Sequence, residues 1–541
     1  MLQALRSFVA ALFGSEDSSD CIVEFNLSKD EADRPAKRQR TASEQKSGDS
    51  EEDKKLRAEA QNAALTATSE ASQPPKQEVI DDVLVAHTWI LRPGSTFFRS
   101  QAERWTAEQP AGSKRVLRVP LGSPDDLPHA RSAIRFIYTG ELDVSSAANL
   151  LRVRRMASYL GVEGYTEACD TALLALARKA PAPPLTTVAE LYACRTLLPD
   201  PRGEDPTAAG LLDSLRTAGQ EQLVAYKGTA AEVTATGGSK VQLGELLAWA
   251  FQDAPGVLNN PAVKGRARSL PPCCLEALLS CDAFATDDEA SVLLLLAEWL
   301  DANPSTAEDV RKRLCGCIRL CHLNSGYLTG VLPLLSWFPL TPDEHILLCQ
   351  MMAVLSGASR DQFVKMATQS DYQWPSCWTS GAARPHGSGS VGRVFEWSVA
   401  QEDVGGATGL VYRGFEIYPS VQLPLGGGAA GAYLCCRLPT CLKPSRVPAV
   451  VVSPGNARLT AWKWAEGSDG RRERQTAHSF TYKDWSDCMR WAGWGTPKAL
   501  PLLAAPAAAA APSAVAPDPL ARWAPYLHEG RLSGTLEWLP A

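Results

Sequence analysis

The apolar pattern of this chain changes period near residue 380, and no single core accommodates both periods. From about 182 to 370, apolar residues recur at three- and four-residue spacing, as in "TDDEASVLLLLAEWLDANP" and "TPDEHILLCQMMAVL". That spacing places them on one face of a helix. After "WTSGAARPHGSGSVG" (378–392) the runs shorten: "RVFEWSV", "VYRGFEIYPSVQL", "AYLCCRL", "PAVVVSP", "LTAWKWAEG" and "TAHSFTYKDW", separated by Gly, Pro and Ser. Such runs predict the strands of a sandwich, and the Gly/Ser-rich stretch before them reads as a flexible joint. An Ala/Pro run from 501 interrupts the β pattern and "GRLSGTLEWL" (530–539) resumes it, so 499–521 reads as an insertion between two strands.

The N-terminal third follows a different pattern. No aromatic residue lies between Phe25 and Trp89, and 28–79 is dense in Lys, Glu, Asp, Ser, Gln and Ala. A segment so poor in apolar surface cannot offset its ordering entropy, and disorder is expected there. Short β runs flank it, "CIVEF" (21–25) and "DVLVAHTWI" (82–90). Next, "STFFRSQAERW" reads as a helix and "RVLRVPL" (115–121) as a strand. "LPHARSAIRFIYTG" reads as a helix that buries Leu127, Ala130, Ile134, Ile137 and Tyr138. Gly140 stops it, because glycine accepts the left-handed backbone that a Cβ resists. "NLLRVRRMASYLGV" (149–162) and "YTEACDTALLALARK" (165–179) predict a helical pair broken at Gly161. The start, "MLQALRSFVAALF", has one Arg and no small-residue cleavage pattern, so it predicts an amphipathic helix with Leu2, Leu5, Ala10 and Leu12 apolar. Two capping boxes are expected in the helical middle, Ser305 with Glu308 and Thr341 with Glu344, the latter with Pro342 at the first helical position.

Composition narrows the chemistry. At 541 residues the chain is too long for one core, and its formal net charge of −6 argues against nucleic acid as a main partner. Fifteen cysteines, with adjacent pairs at Cys273–Cys274 and Cys435–Cys436 and no C-x-x-C, fit reduced thiols better than a disulfide framework or a zinc ribbon. The best apolar run, "SVLLLLAEWL", carries Glu298 and falls well short of the ~20 residues of a membrane span, so no membrane partner is expected. Cys317 and Cys321 share a helix face, but Cys315 points elsewhere and His322 brings no second ligand group. A packed face is the better reading than a metal site. "LGGGAAGA" (425–432) lacks the Lys-Ser/Thr of a phosphate loop and reads as a hairpin loop. Nothing pairs a nucleophile with a base, so neither an enzyme nor a cofactor is expected.

Taken in order, "SSDCIVEF", "VAHTWIL", "STFF", "RVLRVPL", "AIRFIYTGEL" and "LLRVRRMASYLGVEGYTEAC" resemble the BTB/POZ domain. The stretch "LPPCCLEALLSCDAFATDDEASVLLLLAEWL" resembles the BACK domain, and the whole order looks most like plant BTB–BACK proteins of the light-response BTB type. The resemblance implies an α+β multidomain chain. Its parts are a BTB/POZ α/β module at 1–179 with the insertion 28–79, a BACK-like helical domain at 182–370, a linker at 371–392 and a β-sandwich-like domain at 393–541. It also implies a substrate adaptor of a cullin-3 type ubiquitin ligase that dimerises through the BTB module, with a cullin-3 homologue and a protein substrate as partners.

Within that resemblance the cullin-contact slot falls on Trp105, Thr106 and Glu108, with Glu108 matching and the family's apolar position held by Thr106, or by Trp105 if the register slips by one. Asp20 and His87 match a familiar Asp and His, as packing and strand-end capping or as a charged pair near the dimer surface. Tyr138 and Gly140 are then structural, closing one helix and turning the chain. Independently, Lys37, Arg38 and Arg40 in "PAKRQR" form a short nuclear-import pattern or merely a solvated charge run, and leave nucleus and cytoplasm both open. The Trp-rich runs (Trp462, Trp464, Trp485, Trp491, Trp494) are sandwich core and rim, or a substrate surface. The alternative is a BTB oligomerisation scaffold or nuclear co-regulator that engages no cullin.

Overall fold

Alternate residues of "CIVEFNL" bury Cys21, Val23 and Phe25 completely, which makes Cys21–Leu27 (β1) the middle of a sheet. It pairs antiparallel with β2 (Glu78–Ala86) and parallel with β3 (Arg115–Leu121). The computed structural model describes residues 2–27, 78–104, 114–179, 184–203, 205–235, 238–353, 362, 365, 374–380, 382–387, 394–400, 409–422, 428–446, 451–466, 472–488, 494–503 and 521–539. The chain is an α+β protein of two compact units, one of residues 1–179 and 193–215, the other of 180–192 and 216–541.

In the first unit the sheet packs on helices α1 (Leu2–Ala11), α2 (Thr88–Gly94), α3 (Thr96–Arg104), α4 (Leu127–Thr139), α5 (Ala147–Leu160) and α6 (Tyr165–Arg178). Helix α4 buries Ala130, Ile134 and Tyr138 and ends as its sequence predicts: Gly140 adopts φ 66° and donates its N–H to the Phe136 carbonyl at 2.7 Å. The run 82–90 does not continue as a strand. It leaves the sheet at Ala86, and α2 begins at Thr88 because the Asp20 carboxylate, distant in sequence, accepts the Thr88 N–H at 2.7 Å and the Thr88 hydroxyl. Residues 193–215 belong to this unit through the buried Arg154 of α5. Its guanidinium donates to Asp170, to Asp205 at 2.8 Å and to the Thr207 hydroxyl at 2.9 Å.

Two helices follow, α7 (Thr186–Ala193) and α8 (Ala208–Ala225), then a small hairpin of β4 (Glu232–Thr234) and β5 (Lys240–Gln242). The second unit continues with α9 (Leu243–Phe251), α10 (Ala254–Asn259), α11 (Pro261–Arg268), α12 (Pro272–Ser280), α13 (Glu289–Ala302), α14 (Glu308–Gly316) and α15 (Pro342–Ala353). Helix α13 is apolar nearly all round, and residues 289–297 are buried without a break, which makes it the central helix. The Thr341–Glu344 capping box forms: the Glu344 carboxylate accepts the Thr341 N–H at 2.8 Å, and the Thr341 hydroxyl accepts the Glu344 N–H. The Ser305–Glu308 box does not. Thr306 turns its hydroxyl back onto the Asn303 carbonyl at 2.7 Å, and α14 starts with Ala307 as its cap residue.

Two antiparallel sheets complete the unit. In one, β10 (Val451–Glu466) pairs with β11 (Arg472–Cys488) and β14 (Arg531–Trp538), and β14 also pairs with β13 (Leu527–His528) and β6 (Val394–Ala400). In the other the order is β12 (Trp494–Pro501), β9 (Ala429–Arg437), β8 (Phe415–Gln422), β7 (Leu410–Tyr412). The last strand thus lies inside its sheet, on the far side of the Ala/Pro run. "VYRGFEIYPSVQL" is not one strand: Arg413 and Gly414, at φ 49° and 81°, make a two-residue turn between β7 and β8. Helices and sheets of this unit share one continuous core, from Leu185 through α13 to Trp538.

Candidate functional site

In the first unit the sequence motif residues meet at one junction. His87 is fully buried, with Nε2 at 2.8 Å from the Asp17 carbonyl. A carbonyl only accepts, so Nε2 carries the proton and Nδ1 is left to face the Tyr138 hydroxyl at 3.3 Å. That hydroxyl accepts the His87 backbone N–H at 2.9 Å, and Phe13 meets the Tyr138 ring edge-on at 5.5 Å between centroids. Burial raises the Tyr138 phenol well above its ordinary range and pushes the neighbouring Cys21 thiol up to about 12. Asp20 spends both oxygens on Thr88. The four residues therefore hold α1, β1, α2 and α4 together: Asp20 caps a helix, His87 and Tyr138 pack, and Gly140 turns the chain. Nothing here presents a nucleophile to solvent. Beside the junction an open groove of about 930 Å3 is lined by Arg6, Phe136, Tyr138, Thr139, Gly140 and Glu163. Trp105, Thr106 and Glu108, just past the end of α3, and Lys37, Arg38 and Arg40 lie outside the described residues.

The second unit contains a recognition site that the sequence did not announce. The β7–β8 turn inserts against the N-terminal end of α13, and side chains of the helical region satisfy its backbone. Asn259 accepts the Val411 N–H at 2.6 Å and donates to the Val411 carbonyl at 2.9 Å. Asp287 accepts the Arg413 N–H at 2.7 Å, and Asn324 donates to the Arg413 carbonyl at 3.3 Å. The Ser291 hydroxyl accepts the Gly414 N–H at 3.0 Å, and the buried Tyr327 hydroxyl donates to the Gly414 carbonyl. Only glycine fits at 414: a Cβ there would stand 2.6 Å from the Ala290 Cβ and 2.9 Å from the Tyr327 ring. Burial raises the Asp287 carboxyl and lifts that of Asp288 to about 6, although Asp288 also caps α13 through the Ala290 N–H at 2.9 Å.

The second device is a strap. The described residues of the stretch read as a linker (371–392), namely 374–380 and 382–387, are pinned across α12, α13 and α14. Trp378 is buried, stacks near Phe338 and donates its indole N–H to the Cys315 carbonyl at 3.0 Å. Arg384 pairs with Glu289 at 2.9 Å, both side chains essentially without exposure, and donates to the Cys281 and Leu279 carbonyls. Glu289 also accepts the Arg319 N–H at 2.9 Å, and Arg319 reaches the Ala382 carbonyl at 2.8 Å. Thr286 bonds the strap backbone on both sides, at Pro385 and Gly387.

The cysteine cluster serves the same packing. The Cys321 thiol donates to the Ser380 carbonyl at 2.8 Å, and the Cys315 and Cys317 thiols are pushed by burial to about 12 and about 11, far from the thiolates that bind metal. Among the described residues no group of three or more His, Cys, Asp or Glu is placed to hold a metal ion, and no helix is long and apolar enough to cross a membrane. Compared with known families, residues 267–333, from the end of α11 through α14 and Tyr327, match the model described as BACK, BTB And C-terminal Kelch. The chain thus carries a BACK domain, which supports a protein of the BTB/BACK type. No curated protein matches the chain.

Proposed function

We propose that this protein is a non-enzymatic, substrate-recognition adaptor of a cullin-3 type ubiquitin ligase that dimerises through its first unit. The observation that carries the reading is the BACK match at 267–333, downstream of an α/β unit whose strand and helix order follows the BTB-like motifs. BACK domains are typical of such adaptors. Dimerisation is supported by four large hydrophobic side chains left exposed among the described residues of the first unit, Phe8, Val83, Trp89 and Tyr159. An obligate interface covers apolar surface of this kind. The cullin contact is assigned to Trp105, Thr106 and Glu108, and nuclear entry to Lys37, Arg38 and Arg40.

The test is capture of a cullin-3 homologue by the full chain, with light scattering for the dimer. Glu108→Ala is expected to weaken capture by about thirty-fold or more, as loss of an interface charge costs roughly 2–5 kcal/mol. Thr106→Met should tighten it by about 1–2 kcal/mol through added apolar contact. A wild-type chain that dimerises but captures no cullin would leave the scaffold or nuclear co-regulator reading in its place. A reporter fused to residues 30–58 that stays cytoplasmic would remove the import assignment.

A further inference from the structure

Two adjoining cavities on the helical part of the second unit take no part in either the turn site or the strap. One, of about 330 Å3, is lined by Leu270, Pro271, Pro272, Trp299 and Val310 and by no charged residue. The other, of about 190 Å3, is lined by Leu300, Pro304, Trp337, Asp301, Arg311 and Lys443. Asn303 and Thr306 line both, so the loop from α13 to α14 is the ridge between them.

The two cavities differ in charge. In the second, Arg311 and Lys443 stand against Asp301, a surplus of one positive charge, while the first has none. Asp301 is already engaged, by Lys443 at 2.6 Å and Arg268 at 3.6 Å. The nearby acids of α14 are engaged too: Glu308 pairs with Lys312 at 2.9 Å and Asp309 with Arg313 at 3.2 Å. Arg311, half-buried on the same helix, makes no ion pair within 4 Å among the described residues. A half-buried guanidinium beside an apolar wall is suited to a carboxylate, which it can hold through two parallel N–H donors.

We infer that this cleft binds an extended segment of a partner protein, with an apolar side chain in the uncharged cavity and an Asp or Glu carboxylate against Arg311. In an extended peptide, side chains two residues apart lie on one side, about 6–7 Å from each other. The recognised pattern is therefore apolar, any residue, acidic, in either direction. Taken with the adaptor reading, on which this assignment to substrate rests, the partner segment belongs to the protein to be ubiquitinated.

The experiment selects phage-displayed random dodecapeptides on the immobilised full-length chain, with cullin capture measured in a separate assay. The wild type should enrich Asp or Glu two residues from Leu, Ile or Phe. Arg311→Glu should reverse the preference toward Lys or Arg at that position, with its melting temperature and its cullin capture unchanged. Arg311→Gln, a milder change, should weaken a fluorescein-labelled selected peptide about tenfold without the reversal. No enrichment, enrichment without acidic residues, or a motif that survives both substitutions would overturn the inference. Failure of cullin capture by the wild type would count against the adaptor reading alone, since the peptide result stands or falls by itself.

Discussion

Replacing Arg384 by Met tests whether the strap is a structural part of the second unit. The guanidinium is completely buried against Glu289, whose side chain is 1% exposed, and it also serves the carbonyls of Leu279, Cys281 and Cys317. Met fills much of the volume but donates nothing. Glu289 then retains the Arg319 N–H as its remaining donor, an uncompensated carboxylate in the core. Breaking a buried pair from one side costs about 3–5 kcal/mol, whereas replacing both charges with apolar groups is often neutral. Glu289→Leu alone should therefore also destabilise strongly. The double variant Arg384→Met/Glu289→Leu should recover most of the loss, giving a coupling energy of roughly 2 kcal/mol or more. Scanning calorimetry of the full chain reads this out, because the two units can melt separately. The transition of the larger unit should fall by roughly 5–15 °C in either single variant. A fall under about 2 °C, or a double variant as unstable as the sum of the singles, would refute the reasoning.

Three further outcomes follow from the geometry. Gly414→Ala should lower the same melting transition by an amount equivalent to roughly 2–4 kcal/mol, because its Cβ meets Ala290 and Tyr327 and the backbone stands at φ 81°. Asp288 has its carboxyl raised from 3.8 to about 6, so the folded chain binds more protons than the unfolded one between those values and its contribution to stability falls as pH rises through that window. Asp288→Asn keeps a helix cap and should flatten that fall, by up to about 3 kcal/mol in unfolding free energies from urea titrations compared at pH 4 and pH 7. In the first unit, Arg154→Met leaves Asp170 and Asp205 without their cation, and limited proteolysis should cut 198–206 much faster, with a stability loss of about 3–5 kcal/mol.

What the sequence made legible is what neighbours in sequence decide. Gly140 ends α4 because a left-handed residue is needed one step past the helix, and Thr341 with Glu344 caps α15 across three residues. Strand β3 matches the run 115–121, and β14 shows that a β pattern can resume after an Ala/Pro run. The failures are contacts between distant residues. Nothing near Thr88 in sequence shows that a helix starts there, since its cap is Asp20, 68 residues earlier. The stretch "ARPHG" looks like solvated linker because its Arg is read without Glu289, 95 residues away. In "VYRGF" the one local clue was a glycine inside an apolar run, which marks a turn only when the flanking strands pair back on each other. The cullin slot lies outside the described residues, so its reading stands on the resemblance alone.

These distant contacts converge on one helix end. Asp287, Asp288, Glu289 and Ser291 occupy four of the five positions 287–291 around the start of α13, inside the BACK match, and between them they hold residues 319 and 324, the strap at 384 and the turn at 413–414. Each bond is worth only about 1 kcal/mol net, but each becomes a larger penalty if its buried partner is left unpaired. Moving the sheets away from the helices would leave the Val411, Arg413 and Gly414 backbone groups and their five side-chain partners unsatisfied at once. Rigid attachment therefore follows from how buried polar groups must be satisfied, in addition to the apolar core that helices and sheets share. A surface formed on either part of this unit keeps a fixed position relative to the other, which is the property an adaptor needs if it is to present a bound segment in one orientation.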